Sequence, residues 1–318
     1  MKRIAFSKVV FLLGMLAPLI LPAQPVKKFG KLQVTGTQLS DKKGRPVQLK
    51  GMSFGWSCFH PRFYTAGTVK ELKEKWHSNV VRAALGVEPE KGYLHNPDAS
   101  FQLIKTVIDA AIKEGIYVIV DWHSHNINLP EAKLFFEKIA GMYKDYPNII
   151  YEIFNEPDYE TWPEVKAYSE EVIKAIRAID SSNIILIGTP HWDQHLHLAA
   201  EDPVKGFSNI MYTMHFYAGT HKKELRDRTD AAIAKGLPVF ISESAGMLAT
   251  GDGPIDKLEW EAYIRWMKGR KLSWVTWSVS DKDETCSVLN KSAASDGKWK
   301  EADIKESGKM VRRYLKEF

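Results

Sequence analysis

The sequence predicts an α/β chain folded as a (β/α)8 TIM barrel, a single domain with a short N-terminal hairpin. Three observations lead there. Eight short apolar runs alternate with longer amphipathic segments, glycine and proline punctuate the joints, and polar and aromatic residues recur where the runs end. Such alternation is the mark of repeated βα units around a parallel sheet. A doubly wound open sheet is the structural rival, but it needs fewer strands and sets phosphate-binding glycines after the first. That spacing is missing.

In chain order, the basic start with Lys2, Arg3 and Lys8 and the apolar run to Leu21 predict a secretory signal peptide over residues 1–23, ending at Ala23. The apolar stretch is short for a membrane span. Residues 24–318 then form one domain of a size common among α/β barrels. Residues 31–49 read as a hairpin. The strands follow as VQLKGMSFG, NVVRAALG, YVIVDWH, IIYEIFNEP, IILIGTP, IMYTMHFYAG, PVFISESAG and SWVTWSVSD. Helices are expected in SFQLIKTVIDAAIKEG, EAKLFFEKIAGMYKDY, EVKAYSEEVIKAIRAI and KLEWEAYIRWMKG, each with one apolar face, and in the last segment, residues 301–318. Gly115 stops the helix before strand three, and Gly236-Leu237-Pro238 separates a helix from strand seven. No Ser/Thr/Pro-rich linker and no repeat interrupts the pattern, so no carbohydrate-binding module is expected.

The formal net charge is +5, and three of the cations lie in the leader. A nucleic-acid partner therefore has little support. Cys58 and Cys286 are the two cysteines. In a barrel they follow the first and eighth strands, which become neighbours on closure, and an exported chain can join such a pair; the sequence leaves a disulfide and two free thiols equally open.

Catalytic side chains of this fold project from the C-terminal strand ends. There the chain carries Arg82, Asp121-Trp122-His123, Asn155-Glu156, Trp192, His215, Tyr217, Glu243 and Trp277. Hydroxyl-binding groups beside aromatic faces suit a sugar. Two carboxylates on opposite sides of the barrel, Glu156 and Glu243, are what cleavage of a glycosidic bond requires.

YEIFNEP, DWH, MHFYAGTH, FISES and WVTWSVSDKDE resemble the corresponding blocks of glycoside hydrolase family 5, bacterial endo-β-1,4-glucanase branch, from about residue 30 to the C-terminus. The resemblance implies a barrel, a retaining two-glutamate mechanism, a β-glucan substrate and neither metal nor cofactor. By it, Glu156 is the acid/base, with its pKa raised, and Glu243 the ionised nucleophile, steadied by Arg82 and Tyr217. Asn155 meets the sugar 2-hydroxyl, and His123 and His215 contact the substrate region. Trp277 is the platform under the sugar being cleaved, Trp192 the platform on the leaving side, and Lys282 and Glu284 bind hydroxyls. A secreted monomer without stable membrane association is expected.

Two positions depart from that branch. Gly55 stands where it usually has histidine, with Trp56, Phe59, His60 and Tyr64 nearby to rebuild the subsite, and Ser244 replaces the aromatic residue after the nucleophile, which predicts a more open cleft wall. A β-mannanase, xyloglucanase or mixed-linkage β-glucanase would use the same glutamates. A metal-dependent barrel hydrolase, with His123, His125, His191, His215 and Asp281 as ligands, leaves Glu156, Glu243 and the tryptophans unexplained. A non-catalytic glycan-binding barrel requires a lost carboxylate, and both are present.

Overall fold

In the computed structural model the described residues are 24–318; the predicted leader, residues 1–23, lies outside them. Strands β1 (Gln33–Thr35) and β2 (Gln38–Ser40) form an antiparallel hairpin. Eight further strands close a parallel barrel: β3 (Lys50–Phe54), β4 (Val80–Gly86), β5 (Tyr117–His123), β6 (Ile149–Glu152), β7 (Ile184–Ile187), β8 (Ile210–Tyr217), β9 (Val239–Ala245) and β10 (Trp274–Val279). Every predicted strand is present, in sequence order, with β10 pairing to β3.

The alternation of side chains explains how an apolar run can serve two cores. On β5, Val118, Val120 and Trp122 pack outward against the helix layer. Tyr117 and Ile119 point inward with Val80, Ile150, Ile184, Leu186, Met211, Phe240 and Val275, filling the N-terminal half of the barrel. Leu32, Leu39, Val47 and Leu49 of the hairpin region join this inner cluster and plug the barrel floor. The next inward positions, Asp121 and His123, are polar and rise toward the mouth.

The outer helices follow the predicted segments: Pro97–Glu114, Leu129–Tyr143, Trp162–Arg177, Lys257–Arg270 and Glu306–Glu317. Gly115 takes φ +71° as the cap that ends the first of these, a left-handed conformation that glycine adopts without steric cost. Trp162–Arg177 opens at Thr161, whose amide and hydroxyl both donate to the Glu164 carboxylate, at 2.8 and 2.7 Å. The short helices Pro25–Phe29 and Leu196–Glu201 lacked a predicted counterpart. Among the described residues no helix is long and apolar enough to cross a membrane.

Two irregularities bear on the site. Between Thr213 and His215 of β8, β9 advances from Phe240 to Glu243, one residue more than its partner. A matching shift on β10 falls between Thr276 and Val279 against Met52 and Phe54. Bulges of this kind re-aim side chains, and these two carry Glu243 and Trp277.

Candidate active site

Arg82 organises the mouth. Inward-facing on β4 and fully buried, its guanidinium donates to Glu152 Oε2 at 2.6 Å, Glu243 Oε2 at 3.0 Å and Asn155 Oδ1 at 2.6 Å, and lies 3.0 Å from Asp121 Oδ2. A planar fork with five donors suits such a cluster, whereas a lysine could not span it. Tyr217 on β8 donates to the other oxygen of Glu243 at 2.6 Å. Both oxygens of Glu243 thus have a fixed donor. Asn155, its carbonyl held by Arg82, keeps a buried Nδ2 with no hydrogen-bond partner among the described residues.

Strand β6 ends at Glu152, earlier than the sequence pattern predicts, and Glu156 projects from the segment beyond it. Backbone bonds replace the ladder there: Ile153 N–H donates to Leu186 O at 3.1 Å, Asn155 N–H to Trp122 O at 3.1 Å and Glu156 N–H to Ser124 O at 3.3 Å. Glu156 Oε1 lies 2.8 Å from Nδ1 of His215, and Oε2 lies 3.8 Å from Nδ1 of His125. Ligand-type atoms of Glu156, His215 and Glu243 all fall within 4.8 Å of one another.

The charge directions differ from those expected. Burial raises the Glu156 carboxyl, but the hydrogen bond and charge of His215, with His125 and Arg82, bring it below its ordinary value. For Glu243, burial and the charge of Glu156 outweigh His215, Arg82 and Tyr217 and push it up. The expectation of a raised Glu156 is thus corrected for the resting site, because His215 faces it: burial opposes charge on the ring, while Asp193, Glu152 and Glu156 together hold it well above its usual range. His123 is the converse. Burial, then Arg82, keeps it neutral, and its Nδ1 contacts Asp121 Oδ2 at 2.7 Å.

Two cavities meet at Glu156. The larger, about 710 Å³, is lined by His123, Trp277, Glu243, Trp56, Phe59 and His60, with Lys282 and Glu284 at its edge. Trp277 stacks on His123, centroids 5.0 Å apart and planes parallel. Lys282 Nζ is 2.5 Å from Glu284 Oε2, so these two predicted hydroxyl binders engage each other. The smaller cavity, about 470 Å³, is lined by Trp192, His215, His221 and Gln194, and shares His125, Glu156 and Tyr217 with the larger. All the predicted residues from Arg82 to Glu284 therefore gather at one mouth. Glu152 and Asp193, both fully buried beside them, escaped the sequence reading because no motif marks a buried carboxylate.

A scan against family models matches residues 40–283 to "Cellulase (glycosyl hydrolase family 5)". The chain belongs to glycoside hydrolase family 5. Among curated relatives, the endoglucanase of Clostridium saccharobutylicum is 40% identical over 293 residues, covering 90% of this chain and 65% of that protein. Endoglucanase A of Evansella cellulosilytica is 41% identical over 282 residues, covering 86% and 57% respectively. The chain thus spans about three fifths of the length of these relatives. A solved structure from Cytophaga hutchinsonii superposes with a TM-score of 0.91 at 42% identity, covering 92% of this chain and 97% of that one. A variant of the Thermobifida fusca endoglucanase Cel5A catalytic domain, in complex with cellotetraose, gives a TM-score of 0.87 at 36% identity, covering 92% and 100%.

The departures from the family pattern resolve differently. A Cβ at Gly55 would lie 2.9 Å from Cδ2 of His60 and 3.0 Å from Cβ of Ser280, so the His60 ring occupies the space a side chain there would need. Ser244 does not open the cleft wall. It is fully buried, and its hydroxyl donates to Val275 O at 2.8 Å. The cysteines are free, which answers against the disulfide. The Cys58 sulfur packs where a Cβ on Gly86 would fall, and Cys286 Sγ lies 3.2 Å from Glu284 Oε1. Burial pushes the Cys58 thiol up to about 11 and the Cys286 thiol further, so both stay protonated at neutral pH. Of the residues considered as metal ligands, His123, His125 and His215 line the mouth, whereas His191 stacks on His195 and Asp281 pairs with Arg62 at 2.8 Å.

Proposed function

We propose that this family 5 chain is a secreted endo-β-1,4-glucanase that cleaves internal bonds of a β-glucan with retention of configuration, and that residues 24–318 are its catalytic domain. The observation that carries the mechanism is the approach of Glu156 and Glu243, with carboxylate oxygens within 4.8 Å across the junction of two cavities. Retaining glycosidases hold their carboxyl groups about 5 Å apart, inverting ones considerably further, to admit a water. Glu243 attacks the anomeric carbon while Glu156 gives its proton to the departing oxygen. Water, deprotonated by Glu156, then releases the sugar from the glycosyl ester. The proton Glu156 needs lies on its 2.8 Å contact with His215. Acidity is therefore a property of the pair.

Trp277 offers the larger cavity a face for sugar C–H groups, Trp192 does so on the leaving side, and the unpartnered Nδ2 of Asn155 is available to the 2-hydroxyl. The endoglucanase names of the relatives and the cellotetraose bound to one of them support a β-1,4-glucan over mannan, xyloglucan or mixed-linkage glucan. The basic and apolar leader supports export to the periplasm or medium.

Reducing-sugar release from a panel of these polysaccharides tests the substrate, and proton NMR of the first product tests the stereochemistry. β-anomer is expected; initial α-anomer would sink retention. Glu156→Ala and Glu243→Ala are each expected to lower turnover of a soluble β-1,4-glucan by roughly 10³-fold or more. With an activated aryl β-glycoside, azide should rescue the first variant to a β-glycosyl azide, by replacing the water that Glu156 activates, and the second to an α-glycosyl azide, by replacing the missing carboxylate.

A further inference from the structure

The turn after β7 holds a buried carboxylate to which the proposed chemistry gives no task. His191, Trp192 and Asp193 adopt φ of 60°, 52° and 60° in succession. Side chains other than glycine rarely tolerate that backbone, and it persists where surrounding contacts over-determine it. Those contacts are present. The Thr189 amide donates to Asp193 Oδ1, Asp193 N–H donates to Thr189 O at 3.0 Å, and Trp192 N–H donates to Pro157 O at 3.0 Å. The product of the turn is Asp193 Oδ2, fully buried and 3.2 Å from Nε2 of His215. His215 is thereby held between two carboxylates, with Glu156 Oε1 at its Nδ1.

We propose that Asp193 is a positioning residue for the acid/base, its carboxylate beside Nε2 of His215 keeping one ring proton on that nitrogen so that the proton free to move is the one between Nδ1 and Glu156. The inference rests on the reading of Glu156 given above. A neutral imidazole carries one N–H and an imidazolium two. With Nε2 hydrogen-bonded to Ser242 Oγ at 2.9 Å, and Asp193 Oδ2 3.2 Å from it as a charge neighbour without a hydrogen bond of its own among the described residues, the other proton lies on the Nδ1 to Oε1 contact. Its transfer breaks Nδ1–H and forms Oε1–H, converting imidazolium and carboxylate into imidazole and carboxylic acid. The net charge of the pair does not change.

No other charged group among the described residues stands as near to Nε2. Glu152 Oε1, 3.8 Å from Nε2, belongs to a carboxylate already bound to Arg82, and Glu243 is also bound to Arg82. His221 is kept neutral by burial. From β5, Asp121 and His123 engage each other and act on the ring at longer range. Burial pushes the Asp193 carboxyl well up, against the pull of His215 and the Thr189 amide.

Asp193→Asn retains an oxygen for the Thr189 amide and removes the charge. In kcat/KM against pH on a soluble β-1,4-glucan, the basic limb is expected to move down by about one unit. The His215 midpoint, followed by imidazole ¹⁵N NMR, should move down with it. A lower kcat at every pH with both midpoints in place would overturn the proposal, since a merely structural role predicts that result. Asp193→Ser, which also offers an oxygen to Thr189, serves if the asparagine variant does not fold. Glu156→Ala, run alongside, separates the two claims. If it loses the basic limb while Asp193→Asn keeps it unshifted, the role of Asp193 alone fails. If Glu156→Ala keeps the wild-type limb, the reading of Glu156 fails and the proposal with it.

Discussion

The two halves of the barrel interior are built from the same strands yet obey opposite rules. On β5, Tyr117 and Ile119 fill the floor, and two and four residues beyond Ile119 the same face carries Asp121 and His123. β4 passes from Val80 to Arg82, and β6 from Ile150 to Glu152. The floor needs only volume and apolarity, so many sequences could satisfy it. The mouth needs each buried charge matched to a named partner, because an unmatched one is costly.

Three experiments break or sharpen that contrast, beginning with the largest effect. Arg82→Ala removes the cation shared by Glu152, Glu243 and Asp121. Loss of about 4 kcal/mol of unfolding free energy is expected in urea titration, with activity abolished as well. A stability close to wild type would mean that the mouth tolerates unpaired charge.

Leu186→Ala strikes the floor. A cavity at this fully buried position should cost about 3 kcal/mol, while kcat per folded molecule stays within a few-fold of wild type. A collapse of kcat at full folding would show that the halves are mechanically coupled.

The third experiment concerns acid. Burial lowers His221 to about 4 from the ordinary 6.5, and its Nδ1 accepts from the Tyr217 amide at 2.8 Å. Between those values the unfolded chain binds a proton that the folded chain refuses. The contribution of His221 is therefore complete above pH 6.5 and declines as pH falls toward 4. His221→Asn keeps an acceptor but does not titrate. Its unfolding free energy should vary less steeply with pH across that window, by up to about 1.4 kcal/mol per unit. Equal slopes would place the acid sensitivity elsewhere in the mouth.

The same contrast explains what could be read in advance. Strand count, order and closure follow from the periodicity that builds the floor and the helix layer, and the site residues from Arg82 to Glu284 lie at the mouth where strand-end position put them. The protonation pattern was not legible, because it depends on Glu152 and Asp193, which sequence patterns cannot distinguish from surface acids. Ser244 was misjudged for a related reason. Alternation alone cannot say which way a residue faces once a strand contains an extra residue. The fate of Cys58 and Cys286 turned on what packs beside each sulfur, which strand adjacency does not reveal.

The bulge on β9 separates two specifications that a regular strand would lock together. In an unbroken ladder, the register that closes the barrel also fixes which face Glu243 occupies, and a slip of one residue reverses it. With one surplus residue between Phe240 and Glu243, closure is set below the bulge and carboxylate aim above it. The length of β9 near Ser242 therefore works as an adjustment of the aim of Glu243 independent of the scaffold: deleting a single residue there would leave a barrel able to close, with Glu243 still on the inner face, two positions beyond Phe240, but without the re-aiming that the surplus residue gives it.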